Sequence, residues 1–173
     1  ANGGYWAADG ETGEIVWRFR KSRGPSLATA PAVDAGLVYL PSGSIHGNLA
    51  DIRTELPVWH SRQGASLVTP VIAGDSVVVA FRWLLALDMD TGQKRWEFRT
   101  RAGRNEGFLI HSGPAVADGR VFFGTDYGRV YAVDLRDGRK IWAFETGEAV
   151  RSALSVASGL LYFGCTDGNL YAL

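Results

Sequence analysis

The chain has one cysteine, Cys165, and one methionine, Met89, in 173 residues. A lone cysteine excludes an intrachain disulfide and any cysteine cluster around a metal. Cys165, set between Gly164 and Thr166 at the end of an apolar run, reads as a small packing residue, and it leaves the redox compartment open. Long hydrophobic runs are missing too: "SVVVAF" (Ser76 to Phe81) is of strand length, far below the roughly 20 residues a membrane helix needs. No segment of ten residues or more follows a helical period. Charge of one sign is not in excess, with 18 basic against 18 acidic residues, so net charge gives no argument for nucleic acid or an anionic membrane. No glycine-rich phosphate loop opens a helix, which leaves nucleotide binding without support. The N-terminal "ANGGYWAADG" has no basic stretch followed by an apolar one. A signal or anchor is therefore expected to have been removed or to lie outside this chain.

What is abundant is glycine and aromatics: 22 Gly, 6 Trp, 6 Tyr and 8 Phe, within an apolar content of 46%. This composition favours short strands joined by tight turns. Four segments place an Asp eight residues before a Trp: Asp9 and Trp17, Asp51 and Trp59, Asp88 and Trp96, Asp134 and Trp142. Gly13, Gly92 and Gly138 stand four residues before the Trp, whereas the second copy carries Glu55 there. Between these segments recur phrases such as "LVTPVIAGDSVVVAF" and "HSGPAVADGRVFFGTD". Each is two apolar runs separated by Gly with Asp or Ser, the chemistry of a hairpin turn.

Each repeat thus predicts four antiparallel strands, A to D. In the third they fall at about 112 to 117, 120 to 125, 129 to 134 and 140 to 146. Four-stranded units recurring about every 40 residues predict an all-β fold, a β-propeller with about four blades' worth of repeats. The blade segments fall at about 1–21, 22–62, 63–100, 101–147 and 148–173. Trp17, Trp59, Trp96 and Trp142 are expected to fill the gaps between blades. The chain opens on C and D strands and closes on A, B and C, one C strand more than a ring of four needs. Two arrangements stay open: a fragment or half-ring of a larger propeller, its edges covered by flanking blades or a second copy, or a small closed ring.

The segments "AADGETGEIVW" (Ala7 to Trp17), "ALDMDTGQKRW" (Ala86 to Trp96) and "AVDLRDGRKIW" (Ala132 to Trp142) resemble the repeat of quinoprotein-like, PQQ-repeat propellers. That family holds PQQ-dependent dehydrogenases and non-catalytic relatives: BamB-like lipoproteins and the sensor propellers of some bacterial Ser/Thr kinases. The resemblance implies a bacterial, extracytoplasmic setting, periplasmic or at the cell surface. For the catalytic members it implies PQQ with a metal ion, a catalytic Asp and commonly a disulfide of adjacent cysteines, which one cysteine cannot form. No PQQ ligand or catalytic residue carries over to a matched position.

Other chemistry is sparse. "DMDTG" (Asp88 to Gly92) resembles the opening of a calcium loop, but position twelve is Arg99, so a turn is expected. His46, His60 and His111 fall in or beside loops of different repeats, with no pair at metal spacing. Ser112 beside His111 suggests a nucleophile only if a third group orients the base. Charge is more informative when sorted by face. The D-to-A and B-to-C connections, on one face, gather nine cations (Arg20, Lys21, Arg23, Arg62, Arg82, Arg99, Arg101, Arg104, Arg151) against five carboxylates. The opposite turns gather twelve carboxylates against seven cations. The longest connection, "RTRAGRNEGFLIHS", lies on the basic face, and long loops on rigid scaffolds carry binding. The expectation is a non-catalytic scaffold or sensor propeller, with no cofactor or metal. It would recognise a protein, peptide or small anionic ligand through Arg62, Arg82, Arg101, Arg104, Phe108, His111 and Arg151. The alternative is part of a PQQ-dependent dehydrogenase.

Overall fold

The computed structural model describes residues 4–20, 29–34, 36–41, 47–51, 57–61, 66, 68–100 and 110–173. Its described elements are strands, in five antiparallel sheets. A two-stranded sheet, β1 (Gly4–Ala8) and β2 (Ile15–Arg20), comes first. The first four-stranded sheet is β3 (Ala32–Asp34), β4 (Leu37–Pro41), β5 (Gly47–Asp51) and β6 (Pro57–Ser61). The second is β7 (Val71–Ala73), β8 (Ser76–Ala80), β9 (Leu84–Asp88) and β10 (Lys94–Phe98). The third is β11 (Ala115–Ala117), β12 (Arg120–Thr125), β13 (Arg129–Asp134) and β14 (Lys140–Glu145). The last has β15 (Ser155–Ala157), β16 (Leu160–Gly164) and β17 (Leu170–Ala172). Strand order within every sheet follows chain order, and β3, β7, β11 and β15 pack on one another in turn. This is the propeller blade plan, with the A strands innermost.

The A-to-B turns fold as their residues dictate. Asp118 and Gly119 take φ of 50° and 70°, and Ser158 and Gly159 take 51° and 78°. Two consecutive positive φ values define the hairpin turn whose twist matches the flanking strands. The described C-to-D turns are closed by aspartate. Asp88 Oδ1 accepts from the N–H of Thr91 (2.9 Å) and from its hydroxyl (2.8 Å), while the Gly92 N–H reaches the Asp88 carbonyl at 2.8 Å. Asp9 repeats this with Thr12, and Asp134 does so with the N–H of Arg136. The calcium-like "DMDTG" is thus a self-capped turn, as expected.

The tryptophans link one blade to the next. Trp59 Nε1, on β6, donates to the Met89 carbonyl of the following sheet at 2.7 Å, and Trp96 Nε1, on β10, donates to the Leu135 carbonyl at 2.7 Å. Each ring lies over the glycine of the receiving turn: a Cβ on Gly92 would stand 2.5 Å from Trp59, and one on Gly138 would stand 2.6 Å from Trp96. Trp17 is buried against Val38 and Leu40, and Trp142 is half-buried, its ring 5.8 Å from that of Phe122. The turn carrying Glu55 lies outside the described residues.

Both faces of a middle blade are covered, so all of β8 is buried. Val77 and Val79 pack toward Tyr39 and Leu49 of the preceding sheet, while Val78 and Ala80 pack toward Val121 and Phe123 of the following one. Each such valine contributes about 1.5–3 kcal/mol by leaving water, which makes the interior a rigid frame for the loops at its rim.

Candidate functional site

The face formed by the D-to-A and B-to-C connections holds the chemistry that the described residues offer. Asp126, in the turn after β12, holds two partners. Its Oδ2 lies 2.8 Å from Nδ1 of His111, and its Oδ1 accepts from Nε of Arg151 at 2.9 Å. His111 leads into β11 and Arg151 leads into β15, so one carboxylate ties two adjacent blades. The Asp126 side chain is only 21% exposed, whereas that of Arg151 is 61% exposed. Both partners line a cavity of about 520 Å³ at the inner ends of the blades, with Thr29, Val68, Thr69 and Pro114 among its other walls. Volumes of this order suit small ligands or the tip of a larger one.

Ser112 adjoins this site without joining its chemistry. Its hydroxyl donates to the Gly124 carbonyl at 3.0 Å and accepts from the Gly124 N–H at 2.6 Å, and the residue is fully buried. Ser152 does the same for Gly164, and Ser66 for Ala80. The hydroxyl thus closes the end of a B strand in three blades. With its hydroxyl engaged by both backbone groups of Gly124 and no exposure to solvent, Ser112 has a structural role.

A second feature of this face is aromatic. The guanidinium of Arg99 lies 4.6 Å from the ring centroid of Trp83, in the turn between β8 and β9, and Arg99 also pairs with Glu97. Arg82, beside Trp83, sits 5.9 Å from the ring of Phe81. In the turn after β12, Tyr127 is half-buried, and that burial pushes its phenol upward from the usual tyrosine range.

Of the predicted binding residues, the structure brings His111 and Arg151 together and places Arg82 in a separate turn with Trp83. Arg62, Arg101, Arg104 and Phe108 lie outside the described residues, as does His46. So do Lys21 and Arg23, on which much of the expected positive excess rests. His60 is in strand β6, one residue before its end. The organiser, Asp126, and the aromatic partner, Trp83, are not singled out by sequence. Asp126 counts there as an opposing charge, although "FGTD" and "FGCTD" (Phe163 to Asp167) place an Asp just past the B strand in two successive repeats. In the later copy Asp167 accepts from the Asn169 N–H of its own turn and from the Tyr171 hydroxyl of β17.

The comparisons with known proteins agree with this architecture. Residues 1–173 match the family described as outer membrane protein assembly factor BamB. The chain is 31% identical over 125 residues, 65% of its length, to a 1-butanol dehydrogenase (cytochrome c) of Thauera butanivorans. It is 29% identical over 174 residues, 94% of its length, to the Ser/Thr protein kinase AfsK of Streptomyces griseus. These matches span only 18% and 21% of those relatives' own lengths. Among solved structures, BamB from Moraxella catarrhalis superposes with a TM-score of 0.78 at 22% identity, over 93% of this chain and 50% of that one. A family match along the whole chain, on a frame of four-stranded antiparallel blades, shows that this chain belongs to the BamB-like PQQ-repeat propellers.

Proposed function

We propose that the chain is a non-catalytic binding propeller whose D-to-A and B-to-C face recognises a protein partner bearing acidic groups. The observation that carries this reading is the Asp126 clamp, which fixes His111 and Arg151 at the rim of a cavity. Held side chains lose less conformational freedom on binding than loose ones, so a fixed rim favours recognition. Arg99 over Trp83 adds a basic and aromatic contact on the same face, of the kind enriched at protein interfaces. The BamB-like family match supports protein recognition, and the outer-membrane relative supports an extracytoplasmic setting, which fractionation of the source cells checks.

Dehydrogenases are also among the relatives, and their chemistry would need a quinone cofactor with its metal. Among the described residues no three His, Cys, Asp or Glu side chains converge as a metal site. The cluster at the cavity offers one carboxylate, already engaged by two partners. These residues do not fit a metal-bound quinone.

The test has two arms. The absorption spectrum and metal content of the purified chain should show neither a quinone chromophore nor a stoichiometric metal, and finding both would overturn the reading. A photo-crosslinker at residue 82 should capture a discrete protein partner in the source cells, while one at residue 136, on the opposite face, should not. Equal capture at both positions would remove this face from consideration.

A further inference from the structure

We propose that the His111, Asp126 and Arg151 cluster is a receptor for a single carboxylate carried on a short apolar stem, seated in the cavity that His111 and Arg151 line. This deepens the binding-face reading and rests on it.

Four observations define the ligand. Arg151 spends Nε on Asp126, which orients its guanidinium. Its two terminal nitrogens remain to be used, and their fork matches the two oxygens of a carboxylate. His111 spends Nδ1 on the same aspartate, leaving Nε2 as a further polar contact. Thr29, which lines the same cavity, has its Oγ1 buried without a hydrogen-bond partner, a costly state that a carboxylate oxygen would relieve. Apart from Thr69, the rest of the lining is apolar or small, with Val68, Val71, Pro114 and Ala153 among it. Two charged ends with hydrocarbon between them would be poorly matched to such a wall, whereas one charged end with a short stem fits.

Charge decides between anions. Asp126 already places one negative charge against Arg151, so the cluster has no surplus with which to neutralise a dianion. A phosphate group carries about −1.5 to −2 at neutral pH and would be repelled by Asp126. A carboxylate carries a single charge, so Asp126 repels it less, and its two oxygens match the fork of the guanidinium. Such a group has two sources, a free short-chain acid or the C-terminus of a polypeptide.

The probes are butyrate, butyramide, inorganic phosphate, and a short peptide ending in Ala-Val with either a free or an amidated C-terminus. Binding is followed by chemical shifts of the isotope-labelled chain, including the Arg151 Nε–H signal. Butyrate and the free-acid peptide should bind saturably, butyramide and the amidated peptide should not, and phosphate should not compete. A peptide that outbinds butyrate assigns the site to a polypeptide C-terminus, and the reverse assigns it to a small acid. Arg151→Gln should weaken carboxylate binding by roughly tenfold or more, the scale of a lost charge-assisted pair.

Asp126→Asn gives the sharper test. It raises the net positive charge, so a diffuse basic patch would bind more tightly, whereas a site that depends on a held guanidinium should bind several-fold more weakly. Tighter binding by Asp126→Asn, equal binding of acid and amide, or competition by phosphate would each overturn the proposal. Loss of carboxylate binding while crosslinking from residue 82 persists would sink this inference alone and leave the binding-face reading in place.

Discussion

Trp96 donates from Nε1 to the Leu135 carbonyl at 2.7 Å while its ring occupies the space where a Cβ on Gly138 would stand. The repeated Gly of the Asp-to-Trp motif therefore serves two neighbours at once. Its φ of 71° closes its own turn, and its missing side chain receives the tryptophan of the blade before. Gly13 shares the first role alone, with φ of 74° and nothing within 4 Å of the point where a Cβ would stand.

Substituting these two glycines separates the roles. Gly13→Ala should cost about 1 kcal/mol, the strain of a positive φ in an L-residue. Gly138→Ala adds a contact with the Trp96 ring, an overpacking cost of about 1–3 kcal/mol. Urea unfolding of both variants measures the gap, and equal losses would show that the ring moves aside freely.

The hydrogen bond of the same pair is testable on its own. Trp96→Phe removes the indole donor from a part-buried carbonyl, which should cost about 1–3 kcal/mol. Trp142→Phe serves as the comparison, since Trp142 is half-buried and its contact is with the Phe122 ring. The expected order is a clearly larger loss of unfolding free energy for Trp96→Phe.

Much of this frame is readable from sequence because its determinants are local. The "ADG" and "ASG" turns specify positive φ at adjacent residues, and Asp9 and Asp88, opening their C-to-D turns, cap N–H groups two and three residues on. Buried strands are less explicit, since β8 has both faces covered and shows no alternation. Its length and its bounding turns identify it instead. The site is legible only in part. His111 and Arg151 stand out as charged or titratable residues at loop positions. Their joining through Asp126, across 15 and 25 residues of sequence, depends on how adjacent blades are set. Trp83 resembles the other tryptophans in composition but lies outside the Asp-to-Trp spacing, so nothing in the repeat draws attention to it.

Ser112→Ala tests the bridging role of that serine. It would leave both the N–H and the carbonyl of Gly124 without their buried partner, and each such group costs about 1–3 kcal/mol. The variant should therefore lose stability on thermal or urea unfolding, with the largest rise in amide exchange at Gly124. An unchanged unfolding curve would mean that the hydroxyl bridge contributes nothing and would reopen the question of why the serine recurs.

The capped turns also give a signed pH dependence. Hydrogen bonds from the Thr91 hydroxyl and N–H hold the Asp88 carboxyl below its ordinary value of 3.8, with the Arg95 charge assisting. A depressed carboxyl stabilises the fold fully above its unfolded value and loses that contribution as pH falls through the lower folded value. Asp9 and Asp134 are depressed for the same reason, by N–H groups of Thr12 and Arg136. Asp88→Ala should thus lower the urea midpoint most at pH near 7, and the gap from the parent chain should shrink as pH drops below the ordinary carboxyl range. Asp88→Asn keeps an acceptor oxygen without the charge and should fall between the two at neutral pH. A gap that stays constant from neutral to strongly acid solution would show that the turn is held by its backbone shape, and that the aspartate charge is incidental to it.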